Sequence, residues 1–95
     1  LLVDYQEKDW GTQVNFTVSN IKDVEKCRLV LVTTTGDSET VSSWTVPDAG
    51  YGTASNPNAL ELVAQTALKP KDIAHAQVQV IGADGKTATM VTAPD

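Results

Sequence analysis

In Thr12-Gln13-Val14-Asn15-Phe16-Thr17-Val18-Ser19-Asn20 polar and apolar residues alternate without a break from Gln13 to Ser19. Side chains on a strand point to opposite faces in turn, so Val14, Phe16 and Val18 share one face while Gln13, Asn15 and Thr17 share the other. This is the pattern of a strand with one dry face and one wet face.

Moving outward, the same period recurs. Leu1 to Gln6 reads as a short first strand. Lys26 to Thr34 puts Cys27, Leu29 and Leu31 on one side and Arg28, Val30 and Val32 on the other, so both faces are largely apolar and the strand is expected at the centre of a sheet. Gly36-Asp37 supplies a turn before Glu39 to Val46, which predicts a hairpin, with Trp44 and Val46 sharing a face with Thr40 and Ser42. Ala74 to Ile81 and Thr87 to Thr92 flank Ala83-Asp84-Gly85-Lys86, where Asp-Gly favours the positive backbone angles of a tight hairpin turn. Pro47 to Asn58, rich in Gly, Pro, Asn and Ser, reads as a crossover between sheets or a binding loop. Leu60 to Leu68 satisfies both periods. Asn56-Pro57 is able to open a helix with Leu60, Val63, Ala64 and Ala67 at helical spacing, yet Leu60, Leu62 and Ala64 also alternate. The strand is preferred, because six other strands leave one place open in a sandwich. The expectation is therefore an all-β, immunoglobulin-like sandwich of about seven antiparallel strands, forming a single domain over residues 1–95.

Composition narrows function. With 95 residues, 41% hydrophobic and 20% charged, the chain suits one globular domain burying roughly 60 to 65% of its unfolded surface. No apolar run approaches the roughly 18 residues of a membrane span, and the opening Leu-Leu-Val-Asp-Tyr, with no basic region before it, reads as neither signal peptide nor anchor. Twelve acidic against seven basic residues give a net charge of −5, which disfavours nucleic acid and anionic lipid as partners. Cys27, the one cysteine, has no partner in the chain for a disulfide or a zinc knuckle.

No grouping of reactive residues stands out. His75 with Asp72 and Ser42 or Ser43 is a triad only by residue type, since on a strand His75 shares a solvated face with Gln77 and Gln79 and nothing supplies a nucleophile elbow. Cys27 aligns with Leu29 and Leu31, as a buried thiol does. The acidic residues (Asp4, Glu7 and Asp9; Asp37 and Glu39; Asp72; Asp84) lack the spacing of a calcium loop. Trp10, Trp44, Tyr5 and Tyr51 would stack sugars only if exposed in one plane; Trp44 is expected inside, and Tyr51, in the long loop, is the candidate partner-contact residue. Asn15-Phe16-Thr17 matches the N-glycosylation acceptor pattern but lies within a strand. No catalytic, cofactor-binding or metal-binding residue is assigned. The segment around Asp72 resembles the corner before the sixth strand of immunoglobulin-like domains, with Ala76 in place of the corner tyrosine and Val78 in place of the second cysteine.

Trp10-Gly11-Thr12, Cys27-Arg28-Leu29-Val30, Ser43-Trp44-Thr45-Val46, then Ala67-Leu68, Pro70 and Asp72-Ile73-Ala74 follow one another in an order that resembles the C-terminal domain of zinc-finger anti-sigma factors of actinobacterial type. The resemblance runs from about Trp10 to Gly85, and its order carries more than any one motif. It implies a single-pass membrane protein whose cytoplasmic zinc-binding helical domain holds a sigma factor, with the present domain on the extracytoplasmic side. It further implies a protein partner, or a protease that cuts when the domain loosens. The family's zinc motif, a histidine followed by a close pair of cysteines, has no counterpart here, since Cys27 and His75 each stand alone; sigma-factor binding and membrane anchoring would belong to parts outside these 95 residues. The alternative is an immunoglobulin-like adhesion or carbohydrate-binding module of a secreted or surface protein.

Overall fold

The computed structural model describes residues 1–21, 26–82 and 84–93. Seven strands follow in order: β1 (Leu2–Lys8), β2 (Gly11–Val18), β3 (Lys26–Thr33), β4 (Ser38–Thr45), β5 (Leu60–Thr66), β6 (Ile73–Ile81) and β7 (Thr87–Ala93), with one 3₁₀ turn at Pro70–Asp72. They form two antiparallel sheets, β1-β2-β5 and β4-β3-β6-β7. The immunoglobulin-like sandwich expected from alternation is present, and Leu60 to Thr66 is a strand. Constant-type immunoglobulin domains keep their fourth strand with the first, second and fifth. Here the short β3–β4 turn, closed by Thr33 N–H on the Asp37 carbonyl at 2.8 Å, holds β4 beside β3. The longer connection from Val46 to Ala59 then returns the chain to the other sheet.

The core lies where the alternation places it. Val14, Phe16 and Val18 of β2 face Cys27, Leu29 and Leu31 of β3 and Ala76 and Val78 of β6, all 2% exposed or less. Large side chains of this kind contribute about 1.5 to 3 kcal/mol each when fully buried. The Phe16 and Trp44 rings meet across the sheets with centroids 5.6 Å apart, so Trp44 points inward as expected.

One facing differs from the sequence reading. Leu29 pairs with Ser42 but Val30 pairs with Thr40, so a bulge at Val41 shifts the register. The extra residue turns Thr40 to the outer face while Ser42 and Trp44 stay inside.

Two buried polar residues lock the sheets together at one end. Thr12 and Thr66 oppose each other in register and are 0% and 4% exposed. Thr12 Oγ1 donates to the Leu68 carbonyl at 2.7 Å. Thr66 Oγ1 accepts from Leu68 N–H at 3.1 Å and donates to the Glu39 carboxylate at 3.2 Å, joining β5 to β4 across the sandwich. A hydrogen bond to a carboxylate is roughly twice as strong as a neutral one. Alternation gave no sign of this clamp, because Thr66 and Glu39 are far apart in sequence.

The final hairpin closes with Gly82 N–H on the Lys86 carbonyl at 2.9 Å and Gly85 at φ +80°. Asp84 Oδ1 accepts from Lys86 N–H at 3.0 Å. Ala83, the first residue of the expected turn, lies outside the described residues.

Candidate functional site: two outer faces and a crossover loop

The strand order collects the β2–β3, β4–β5 and β6–β7 connections at one end of the sandwich and the β1–β2 and β3–β4 turns at the other. Tyr51 sits at the first end, in the β4–β5 connection. Its backbone bridges Ile21 through two hydrogen bonds, Ile21 N–H to Tyr51 O at 3.0 Å and Tyr51 N–H to Ile21 O at 2.9 Å. The residue is half-buried and packs against the core. The loop around it is cross-bonded: Thr53 Oγ1 donates to the Ala49 carbonyl at 2.6 Å and accepts from Asn56 N–H, and Asn56 Nδ2 donates to the Gly50 carbonyl at 2.9 Å. Gly50, at φ +70°, brings its backbone so close to Ile21 that a Cβ would lie 2.0 Å from the Ile21 carbonyl oxygen. No residue with a side chain fits there. The crossover reading therefore holds, and the loop is a built element.

The aromatic candidates do not share a plane. Tyr5 and Trp44 face the interior, Tyr51 lies at the loop end, and Trp10, 51% exposed, is on the β1–β2 turn at the opposite end. The eight residues of β2 hold the two ends roughly 25 Å apart. The buried Tyr5 hydroxyl and Trp44 Nε1 have no hydrogen-bond partner among the described residues, and burial pushes the Tyr5 phenol up from its usual value near 10.0.

His75 is half-buried on the outer face of the four-stranded sheet, opposite Val32. Ser43, opposite Arg28 on the far side of β3, is two strands away and four residues along, a separation on the order of 15 Å. Ser42 faces inward. His75 belongs instead to a polar ladder. Arg28 Nε donates to Gln79 Oε1 at 2.9 Å, Gln79 Nε2 donates to Gln77 Oε1 at 3.2 Å, and Gln77 Nε2 meets His75 Nε2 at 3.3 Å. The polarity of this chain is set from one end. A guanidinium only donates, so each amide must turn its oxygen toward Arg28 and its NH₂ toward His75. His75 Nε2 is then the acceptor, and the neutral ring carries its proton on Nδ1.

Cys27 is 0% exposed on the inner face, and burial pushes its thiol up from the usual value near 9.0. That favours the unreactive thiol over the thiolate. Among the described residues no three His, Cys, Asp or Glu side chains converge as metal ligands, and no helix is long and apolar enough to cross a membrane.

The outer face of β1-β2-β5 is different in kind. Register aligns Leu2, Thr17 and Glu61 in one row, Asp4, Asn15 and Val63 in the next, and Gln6, Gln13 and Gln65 in a third. The first two rows line a groove of about 430 Å³. Leu2 and Val63 are 73% and 61% exposed there. Asn15 Oδ1 accepts from Gln13 Nε2 at 3.1 Å. Both polar residues of the Asn15-Phe16-Thr17 pattern thus face the groove while Phe16 is buried. Nothing in the sequence around Asp4, Leu2 or Val63 marks them as a group; pairing of β1 and β5 on either side of β2 brings them together, which no local pattern encodes.

Comparison with protein families, curated proteins and solved structures finds no match to this chain.

Proposed function

We propose that this domain is a protein-binding module that catalyses nothing and serves as the extracytoplasmic sensory end of a membrane-anchored anti-sigma factor. The observation that carries the protein-binding part is the outer face of β1-β2-β5, where exposed Leu2 and Val63 stand beside Asp4 and Glu61 over a shallow groove. Exposed aliphatic side chains flanked by carboxylates give this surface both apolar area and charge to offer another protein. The side chains with chemistry to offer are committed elsewhere: Cys27 to the core, His75 to the ladder.

The anti-sigma part rests on the ordered series from Trp10-Gly11-Thr12 to Asp72-Ile73-Ala74. In that role the domain engages a protein outside the membrane, or yields to a protease when it loosens. Domains of this size stand only about 5 to 15 kcal/mol above unfolding, so modest destabilisation would suffice. Sequencing the gene upstream of Leu1 tests it. A span of about 20 apolar residues, preceded by a histidine and two nearby cysteines, is the expected result; a signal peptide or further copies of this domain would rule the assignment out.

A second reading, a carbohydrate-binding or adhesion module, draws on Trp10, whose ring stands exposed at the β1–β2 turn. It requires saturable binding on a glycan array that disappears in Trp10→Ala. Equal binding by the variant would discard it.

A further inference from the structure

We propose that the outer face of β1-β2-β5 docks an extended basic segment of a protein partner, with two Lys or Arg residues four positions apart and an apolar residue midway between them. This rests on the protein-binding reading above and names the chemistry of the partner.

The first two rows of the face form a crossed pattern. Leu2 and Glu61 occupy the two ends of one row, Asp4 and Val63 the two ends of the next, so the carboxylates lie on one diagonal and the exposed aliphatics on the other. Two strand spacings and a two-residue step separate Asp4 from Glu61 by about 12 Å between Cα atoms. Only these two carboxylates stand there, and among the described residues no third ligand joins them to hold a metal ion. The Asp4–Glu61 separation matches the span of about 13 Å between residues i and i+4 of an extended chain, which point to the same side. A residue at i+2 then falls at the crossing, over Thr17 and Asn15 with Leu2 and Val63 to either side. Lys and Arg add to the fit, because their aliphatic stems cover apolar surface while the charged heads stay in water.

Charge excludes the main rivals. Among the described residues no basic side chain lines the groove, and the chain as a whole carries −5, so approach of a cationic segment is favoured at long range. A second copy meeting this face through a two-fold axis would set each carboxylate against an aliphatic side chain or another carboxylate, with no cation to pair it among the described residues. A sugar would find no aromatic ring to stack on, since Phe16 is turned inward at 2% exposure. Asn15, whose Oδ1 is taken by Gln13, turns its NH₂ toward an incoming carbonyl.

The experiment uses ¹⁵N-labelled domain titrated with a blocked peptide, Thr-Lys-Thr-Val-Thr-Lys-Thr, and with the same peptide carrying glutamates for lysines. The expected result is saturable movement of amide signals from β1, β2 and β5 with the lysine peptide only. Apparent affinity should fall about tenfold in Asp4→Asn/Glu61→Gln, consistent with loss of two exposed ion pairs, and should weaken as salt rises. Movement confined to the loop around Tyr51, equal binding of both peptides, undiminished binding by the double variant, or no movement at all would each overturn docking at this face. A dimer of the domain alone whose contacts map to the same strands would do so too. None of these results bears on the sequence upstream of Leu1, which judges the anti-sigma assignment by itself.

Discussion

The two outer faces of this sandwich have similar raw material and opposite organisation. On β4-β3-β6-β7, Arg28, Gln79, Gln77 and His75 satisfy one another in a single chain, and Val30, although outward-facing, is only 3% exposed. On β1-β2-β5, the aliphatic Val63 is 61% exposed and no hydrogen bond engages Asp4 or Glu61 among the described residues. The difference is one of position in the sheet. β3 lies between two neighbours and carries apolar residues on both faces, so its outer side belongs to the core's periphery. β5 is an edge strand with water on one side. A face whose polar groups bond each other contributes stability; a face that leaves them to water does not.

Val30 and Val63 give the sharpest test, being the same residue type on opposite outer faces. Val30→Ala should cost about 2 kcal/mol, from two buried methyl groups and incomplete collapse around them. Val63→Ala should stay within about 0.5 kcal/mol. Urea denaturation of the two variants measures both, and equal losses would erase the distinction between the faces.

Alkaline titration separates interior from exterior. The Cys27 thiol and the Tyr5 phenol are both raised by desolvation. Below their ordinary values, 9.0 and 10.0, folded and unfolded chains alike keep these protons, and the stability is fully present. As pH climbs past 9 the unfolded chain releases the thiol proton while the folded chain retains it, so stability falls, with a limiting slope of about 1.4 kcal/mol per pH unit for each group. Cys27→Val should flatten the first part of that decline. A denaturation midpoint that stays level from pH 8 to 10.5 in the parent protein would contradict the burial of both groups.

The ladder makes a smaller and more specific claim. Gln77→Met keeps length and the apolar stem but removes both links to Gln79 and His75, and should cost about 1 kcal/mol. Imidazole ¹⁵N shifts should show the neutral ring of the parent protonated at Nδ1, and that preference should weaken in the variant. A ring protonated at Nε2 in the parent would mean that the chain does not run from Arg28 as described.

Much of this architecture is readable before folding. Val14, Phe16 and Val18 announce their face by period alone; Cys27, Leu29 and Leu31 with Val30 between them announce a central strand; Asp84-Gly85 announces its turn. What escaped are relations between strands. The bulge at Val41 reverses the facing of Thr40 because one extra residue breaks a period of two, and Val-Ser-Ser gives no local sign of where it falls. The Thr66–Glu39 clamp and the crossed pattern of Leu2, Asp4, Glu61 and Val63 join residues 27 to 61 positions apart. Alternation tells which way Val63 and Thr66 point, but the facing of Thr40 and Glu39 depends on the bulge, and only register tells what stands beside any of them.

The smallest expected change in stability belongs to the surface on which function is placed here. Asp4→Asn/Glu61→Gln replaces two open carboxylates with amides of the same shape on exposed positions, so nothing packed is disturbed and no ion pair among the described residues is lost. Surface substitutions of this kind usually fall within about 0.5 kcal/mol of the parent. Lowering the negative charge of a chain at −5 also relieves self-repulsion, which sets the direction toward slight stabilisation, strongest at low salt. Measured by thermal denaturation at low and high ionic strength, the variant should therefore match or exceed the parent, the gap closing as salt rises, while its affinity for the lysine peptide drops. A clear loss of stability would mean that Asp4 or Glu61 holds the sheet together, and the two outer faces would then differ in degree and no longer in role.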